Sequence, residues 1–456
     1  MKDPEVWRFE AKVCEKVIKE WLAEYADKIT IIKAALSETP RAVVKENSMI
    51  KSIVLSNGQI ISGDIFVEAG YEGDLLDAAG ISWTLGRESS STYNESLAGV
   101  RAETLYRQFD VPLDPYNTPG DPSSGLLFGI SDEPFGKPGD GDKHLQSYSY
   151  RLPLTDDPKD CIPFTKPNGY DPTHYELHRR YLKAGGAFYM PNKRIPGGKT
   201  DLIGSEGALS TDLLGMNDDW PTATYADRAK ILHDTATFTK GLLYFIATDP
   251  EVPQQYRDAW SCFGYCRDEF PDNDHFPYEL YVRDARRIIS DYIITEATAT
   301  SPDASTPSAP QAADPVAIAY WPTDTHSVRR ILDPSKVTPY GPAVINEGFI
   351  FKDGHRWRPF GISYRALVPK RCEAGNLLAP TCPSSSHVGY GAVRLEHQFW
   401  ALGQVCGIVA DLALRREEGE GKVIAVQDLR YEGLRERLVE VGVVVDVESV
   451  GVPTFV

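Results

Sequence analysis

Between residues 64 and 99 an apolar strand runs into glycines and then into a helix, and no other stretch restricts the fold as much. Ile65-Phe66-Val67 reads as a buried β-strand, while Gly70 and Gly73 mark a sharp turn where a bare backbone can approach a ligand closely. Asp74 is placed to cap the helix that follows. A strand, a glycine turn and a helix in that order form a common ligand crevice of α/β folds, although any α/β protein contains such turns.

The 456 residues suffice for two or three structural units. A net charge of −17 and a pI near 5.1 argue against a phosphate-backbone partner, because nucleic-acid binders concentrate positive charge. No apolar run reaches the roughly 18 residues of a membrane span. The nearest, Phe399–Leu414, is interrupted by Gln404 and Asp411 and reads as a buried helix. The opening Met1–Glu10 lacks the basic and apolar stretches of a secretory signal, so a cytoplasmic location is expected. Seven cysteines without metal-type spacing to histidine predict free thiols.

Helical spacing over Val6–Tyr25 leads into short β-rich runs at Ile29–Ile32, Ala42–Lys45, Ile50–Leu55 and Ile60–Ala69, with Ser56-Asn57-Gly58 as a hairpin turn. Pro, Gly and Asp load residues 100–200, predicting long surface loops. Helices are expected over Tyr225–Thr248 and Tyr278–Glu296. Residues 298–315 bury too little apolar surface to fold and predict a flexible loop. Strand-like pieces follow at Phe349–Phe351 and Gly361–Leu367. Next come a loop at Asn376–His387, a helix over Val388–Leu414 and a last helix over Gln427–Val441.

The segment from Cys372 to Leu414 complements the first block. Asn376-Leu377-Leu378 reads as a short strand, followed by a serine-rich loop and a helix. That helix carries Gly389, Gly391, Gly403 and Gly407, which allow close packing, and its N-terminus offers N–H groups to electron-rich ligand atoms. Together the two blocks resemble the family of FAD-dependent oxidoreductases with a glutathione-reductase-like flavin fold, some bacterial members of which carry a xanthan-lyase label. Further similar segments lie between them in order. They include Tyr148-Ser149-Tyr150-Arg151-Leu152, Ser210-Thr211-Asp212, Leu280-Tyr281-Val282-Arg283, Asp324-Thr325-His326 and Ser363-Tyr364-Arg365, so the likeness runs from Phe9 to Leu438.

The resemblance implies FAD as cofactor, contacted by Gly70, Gly73 and Asp74 from one side and Ser385, Ser386 and His387 from the other. It also implies hydride transfer involving a small organic substrate, with His326, Arg287 and Arg365 as the candidates for handling that substrate. On the expected helix Tyr278–Glu296, Glu279 and Arg283 stand four apart, as do Arg283 and Arg287. Such a cluster can clamp a carboxylate, and it serves equally well as structural ion pairs. His326 can exchange a proton with substrate or hold a structural hydrogen bond.

One part of the family pattern is missing. Its opening strand, GxGxxG turn and helix seat the FAD pyrophosphate, and no GxGxxG occurs in this sequence. Gly139-Asp140-Gly141 fails at His144, and Gly198-Lys199-Thr200 lacks the P-loop glycine at Lys193. The expected fold is therefore α/β, a flavin domain (1–99 and 366–441) truncated at its N-terminal βαβ unit. A mostly helical, loop-rich substrate domain is inserted over 100–365, and a tail covers 442–456. Such a chain is an FAD-dependent oxidoreductase or an inactive or partial form of one. A carbohydrate-cleaving protein, suggested by many carboxylates and 11% aromatic residues, is the alternative from another class, and a non-catalytic remnant is a third.

Overall fold

Phe66–Val67 and Leu377–Leu378 lie side by side as a parallel pair, Phe66 opposite Leu377 and Val67 opposite Leu378. The two blocks singled out in the sequence thus meet in the computed structural model, which describes residues 8–102, 104–301, 309–351, 357–414 and 423–449. Phe66 N–H donates to the Asn376 carbonyl and Glu68 N–H to that of Leu378, both at 2.8 Å. Ile50, Phe66, Leu76, Ile288 and Leu377 pack into one buried cluster around this pair. The antiparallel meander Val43–Glu46, Met49–Val54 and Ile60–Ser62 leads into it. The expected run Ile60–Ala69 is broken by Gly63 and Asp64 into two strands, and Ile29–Ile32 forms none.

Two larger apolar clusters hold the rest. One is rich in aromatic rings and is organised by the helix Tyr225–Thr248, whose bounds match expectation. The Thr224 side chain caps it by accepting from Asp227 N–H. Phe238, Leu242, Phe245 and Ile246 recur at helical spacing and bury one stripe, with Tyr175 stacked on Phe238 and Phe245. The other cluster packs Glu396–Leu414 against the strands Pro315–Ala319 and Phe360–Ser363, which pair antiparallel.

Several expectations are corrected. Tyr278–Glu296 is not a helix. Tyr281 bridges to Ser149, and Arg287–Ile288 pairs antiparallel with Trp83–Thr84, so most of the run is extended. Its Tyr, Val and Ile residues suit that state, and its charges find partners in distant segments rather than one helical turn away. The expected helix Val388–Leu414 is two helices, His387–Val393 and Glu396–Leu414, broken where Arg394 donates from Nε to the Asp324 carbonyl at 2.8 Å. The expected strand Gly361–Leu367 becomes the strand Phe360–Ser363 and a 3-10 turn, and the last helix is shorter, Tyr431–Glu440. Within the expected loop 298–315, residues 302–308 lie outside the described residues, while Thr298 and Ala299 close a short helix and Pro315 begins a strand.

The first helix, Ala11–Glu24, has no buried residue, and Val13, Ile18 and Trp21 are exposed on it. Val67 is exposed too, on the strand pair's open side. None of the seven cysteines is in a disulfide. Among the described residues no helix is long and apolar enough to cross a membrane.

Candidate functional site

Alternate residues of an extended chain point opposite ways, and the run Val282–Ile288 uses this to join segments far apart in sequence. Arg286 turns to the glycine loop, donating to the Glu72 carbonyl at 3.0 Å and to Asp74 at 3.1 Å. Arg287 turns to the serine loop, donating from Nε to the Ser385 carbonyl at 3.0 Å and from Nη2 to Glu88 at 2.7 Å. Glu88 also accepts the His387 N–H at 2.8 Å. Burial opposes ionisation of Glu88, but Arg287 outweighs it and holds the carboxyl below its ordinary range.

A second group lies at Arg283 and Asp284. Arg283 is wholly buried and donates to the Ser147 and Ile203 carbonyls, and its Nη1 stands 3.1 Å from Asp212 Oδ1. His326 is buried against the same carboxylate, Nδ1 to Oδ2 at 2.7 Å. Burial lowers the basicity of His326, and the Arg283 charge lowers it further. For Asp212 burial works the other way, but Arg283 and then His326 outweigh it and keep the carboxyl low. The pair is thus a neutral imidazole donating from Nδ1 to a carboxylate, which leaves Nε2 with its lone pair. No hydrogen bond to Nε2 exists among the described residues.

Gln146 ties the two groups together. Its backbone N–H and side-chain amide donate to Asp284 at 3.1 and 3.3 Å, while its side-chain oxygen accepts from His326 N–H at 3.1 Å. Asp284 Oδ2 lies 3.3 Å from His387 Nδ1. Two histidines, three carboxylates and two arginines therefore form one buried network. Several of its polar atoms, among them Arg287 Nη1, Arg283 Nε and both His387 ring nitrogens, are buried without a hydrogen-bond partner.

His326, Arg287, His387 and the Ser385 carbonyl belong to this network. Ser386 caps the helix His387–Val393, accepting from Gly389 N–H at 3.0 Å and donating to Glu95 at 2.6 Å. Arg365 does not join them: its side chain is half-exposed, paired with Asp314 at 3.0 Å and set over the Tyr292 ring. The glycine loop carries bonds of its own, and the expected Asp74 cap is not made. Gly70 N–H and Leu75 N–H both donate to the Glu68 carboxylate at 2.7 Å, so those amides are already taken. Gly73 has φ +71° and packs on Leu76, Arg286 and Cys382. Asp74 begins the short helix without capping it and instead binds Arg228 twice at 2.7 Å.

Asp212, Asp284, Gln146 and Glu88 were not among the expected site residues. A signal for Asp284 existed: Arg283, Asp284, Arg286 and Arg287 are set between Leu280-Tyr281-Val282 and Ile288-Ile289, and charges packed with such residues need partners.

The chain matches the family described as FAD dependent oxidoreductase over residues 1–438. No curated protein and no solved structure gives a significant match. A match over nearly the whole chain, with both blocks and the intervening segments inside it, makes the protein a member of the FAD-dependent oxidoreductase family.

Proposed function

We propose that this chain carries out flavin-dependent oxidation or reduction of a small organic substrate, with His326 as its proton-exchanging group. The observation that carries the reading is the Asp212–His326 pair, because Asp212 fixes the imidazole tautomer and leaves Nε2 as a base. Burial, with the Arg283 charge beside it, keeps the imidazole neutral, and Arg283 keeps Asp212 charged, so the base is ready without prior deprotonation. Gln146, donating to Asp284 and accepting from His326 N–H, holds the base at a set distance from the serine loop.

The donor set suits a flavin ring. Arg287 Nη1 and His387 Nε2 are buried without a hydrogen-bond partner, and as N–H donors they are the chemical complement of the electron-rich pyrimidine edge. These two residues would hold the ring, and bound FAD would supply the hydride chemistry. In this reading His387 comes to the cofactor side from 366–441, while Arg287 and the proton-handling residues come from 100–365. The chain's own residues then bind, orient and move one proton at His326 Nε2.

The test is reconstitution. Protein purified with excess FAD should stay yellow through gel filtration, and His326→Gln should keep the flavin while losing its reduction by substrates of the wild-type protein. A colourless protein that gains no flavin absorbance would sink the reading.

A further inference from the structure

A cavity of about 230 Å³ opens behind the Asp212 group, walled on its inner side by the loop Ile203–Glu206. That loop is thin: a Cβ at Gly204 would come within 2.0 Å of Asp212 Oδ1. At ~30 Å³ per water the cavity has room for about eight waters, the scale of a ligand of on the order of ten non-hydrogen atoms.

Its lining is chemically uneven. Leu154, Met190 and Trp260 give apolar wall, while Arg107 and Arg194 bring two guanidinium groups that pair with no carboxylate among the described residues. The Asn192 amide and Ser205 hydroxyl, also in the lining, have no hydrogen-bond partner there either. In the inner wall, Glu206 Oε2 and the Tyr189 hydroxyl are buried and unpartnered. Two lining residues, Arg107 (φ +59°) and Ser205 (φ +60°), hold left-handed backbone conformations that cost free energy in non-glycine residues. Strain of this kind collects at ligand clamps.

We propose that this cavity binds a small hydroxylated carboxylate. Arg107 and Arg194 grip the carboxylate, whose planar oxygens match a guanidinium fork. Asn192 and Ser205 take the hydroxyls, and the carbon chain lies on Met190 and Leu154. A bare sulfate or phosphate ion would meet the two arginines but bring no carbon chain to Met190 and Leu154. The site stands on its own lining and is independent of whether flavin binds.

Tartrate is the probe, with erythritol as the uncharged polyol and sulfate as the bare anion, followed by isothermal titration of the full chain. Tartrate should bind, and Arg107→Asn with Arg194→Ala should weaken it at least tenfold. Asn is chosen at 107 because it tolerates the left-handed backbone. Both arginines are exposed, and circular dichroism checks that the variant folds. Location is read from peroxide oxidation: tartrate should slow oxidation of Met190, in the lining, and leave the equally exposed Met216 unaffected. The proposal is overturned if tartrate does not bind, if sulfate or erythritol binds as tightly, if the arginine variant binds tartrate unchanged, or if Met190 gains no protection.

Discussion

The Arg87 guanidinium and the Glu347 carboxylate, 260 residues apart in sequence, meet in two hydrogen bonds of 2.7 and 3.0 Å with both side chains fully buried. Arg87 also binds Asp142, and Glu347 also accepts from Arg329 and from Arg101 N–H. Removing one partner of such a pair strands a charge away from water, at a cost of about 3–5 kcal/mol. Glu347→Ala should therefore lower the urea midpoint sharply, and Arg87→Met combined with Glu347→Leu should be less destabilised than the two single changes added together. Additive losses would show that the pair does not act as a unit.

Glycines on the two late helices should respond in opposite ways. A Cβ at Gly389 would come within 2.2 Å of the Ile294 carbonyl oxygen, a backbone atom that cannot step aside, whereas one at Gly403 meets nothing within 4 Å. Gly389→Ala is expected to destabilise by about 1–3 kcal/mol through overpacking. Gly403→Ala should be neutral or stabilise by up to about 1 kcal/mol through helix propensity. Denaturant unfolding of the two variants side by side gives the comparison.

The pH dependence of stability should carry the mark of Glu95. Burial pushes its carboxyl up to about 7, and the nearby Glu88 and Glu296 act in the same direction. Because the folded value lies above the unfolded one, the folded state holds a proton that the unfolded state releases. Stability from this group is complete below about pH 4.5 and falls as pH rises to about 7. Over that window Glu95→Gln should flatten the curve by on the order of 2–3 kcal/mol relative to wild type. A parallel pair of curves would contradict the assignment.

Thiol reactivity should divide by burial. Cys262 and Cys372 are exposed, Cys14 and Cys161 partly covered, and Cys266, Cys382 and Cys406 buried. Burial also pushes the Cys266, Cys382 and Cys406 thiols upward, away from the nucleophilic thiolate. Iodoacetamide labelling read by peptide mass should mark Cys262 and Cys372 first and the buried three only in denaturant. Early labelling of Cys382 would mean that the glycine loop opens.

What could be read from the sequence was what is decided locally. The helix Tyr225–Thr248 carries its own cap in Thr224 and its own apolar stripe, so a short window contains the evidence for it. The strand and turn at Phe66–Gly73 are similar, since glycines and apolar runs mark them without outside help. Tyr278–Glu296 shows the limit. Arginines and a glutamate four apart imitate a helix, but the contacts that hold this segment extended come from Ser149, Thr84 and Ser385, which no local window includes. His326 was visible as a candidate, whereas its partner Asp212 lies 114 residues away and nothing near it announced the pairing. At the glycine loop the turn could be read from its glycines, while the Glu68 carboxylate that takes the Gly70 and Leu75 amides could not.

The Thr381 hydroxyl bonds to the Gly70 carbonyl at 2.7 Å across 311 residues of chain, beside the strand pair that joins the two halves of the molecule. This has a consequence for synthesis on the ribosome. At about 5–20 residues per second, the segment around Phe66 waits roughly fifteen to sixty seconds before Leu377 is made. During that interval Ile65, Phe66 and Val67 form an apolar strand with neither edge paired. Nascent chains stalled before residue 377 should accordingly engage a holding chaperone at this segment and release it once the later strand emerges.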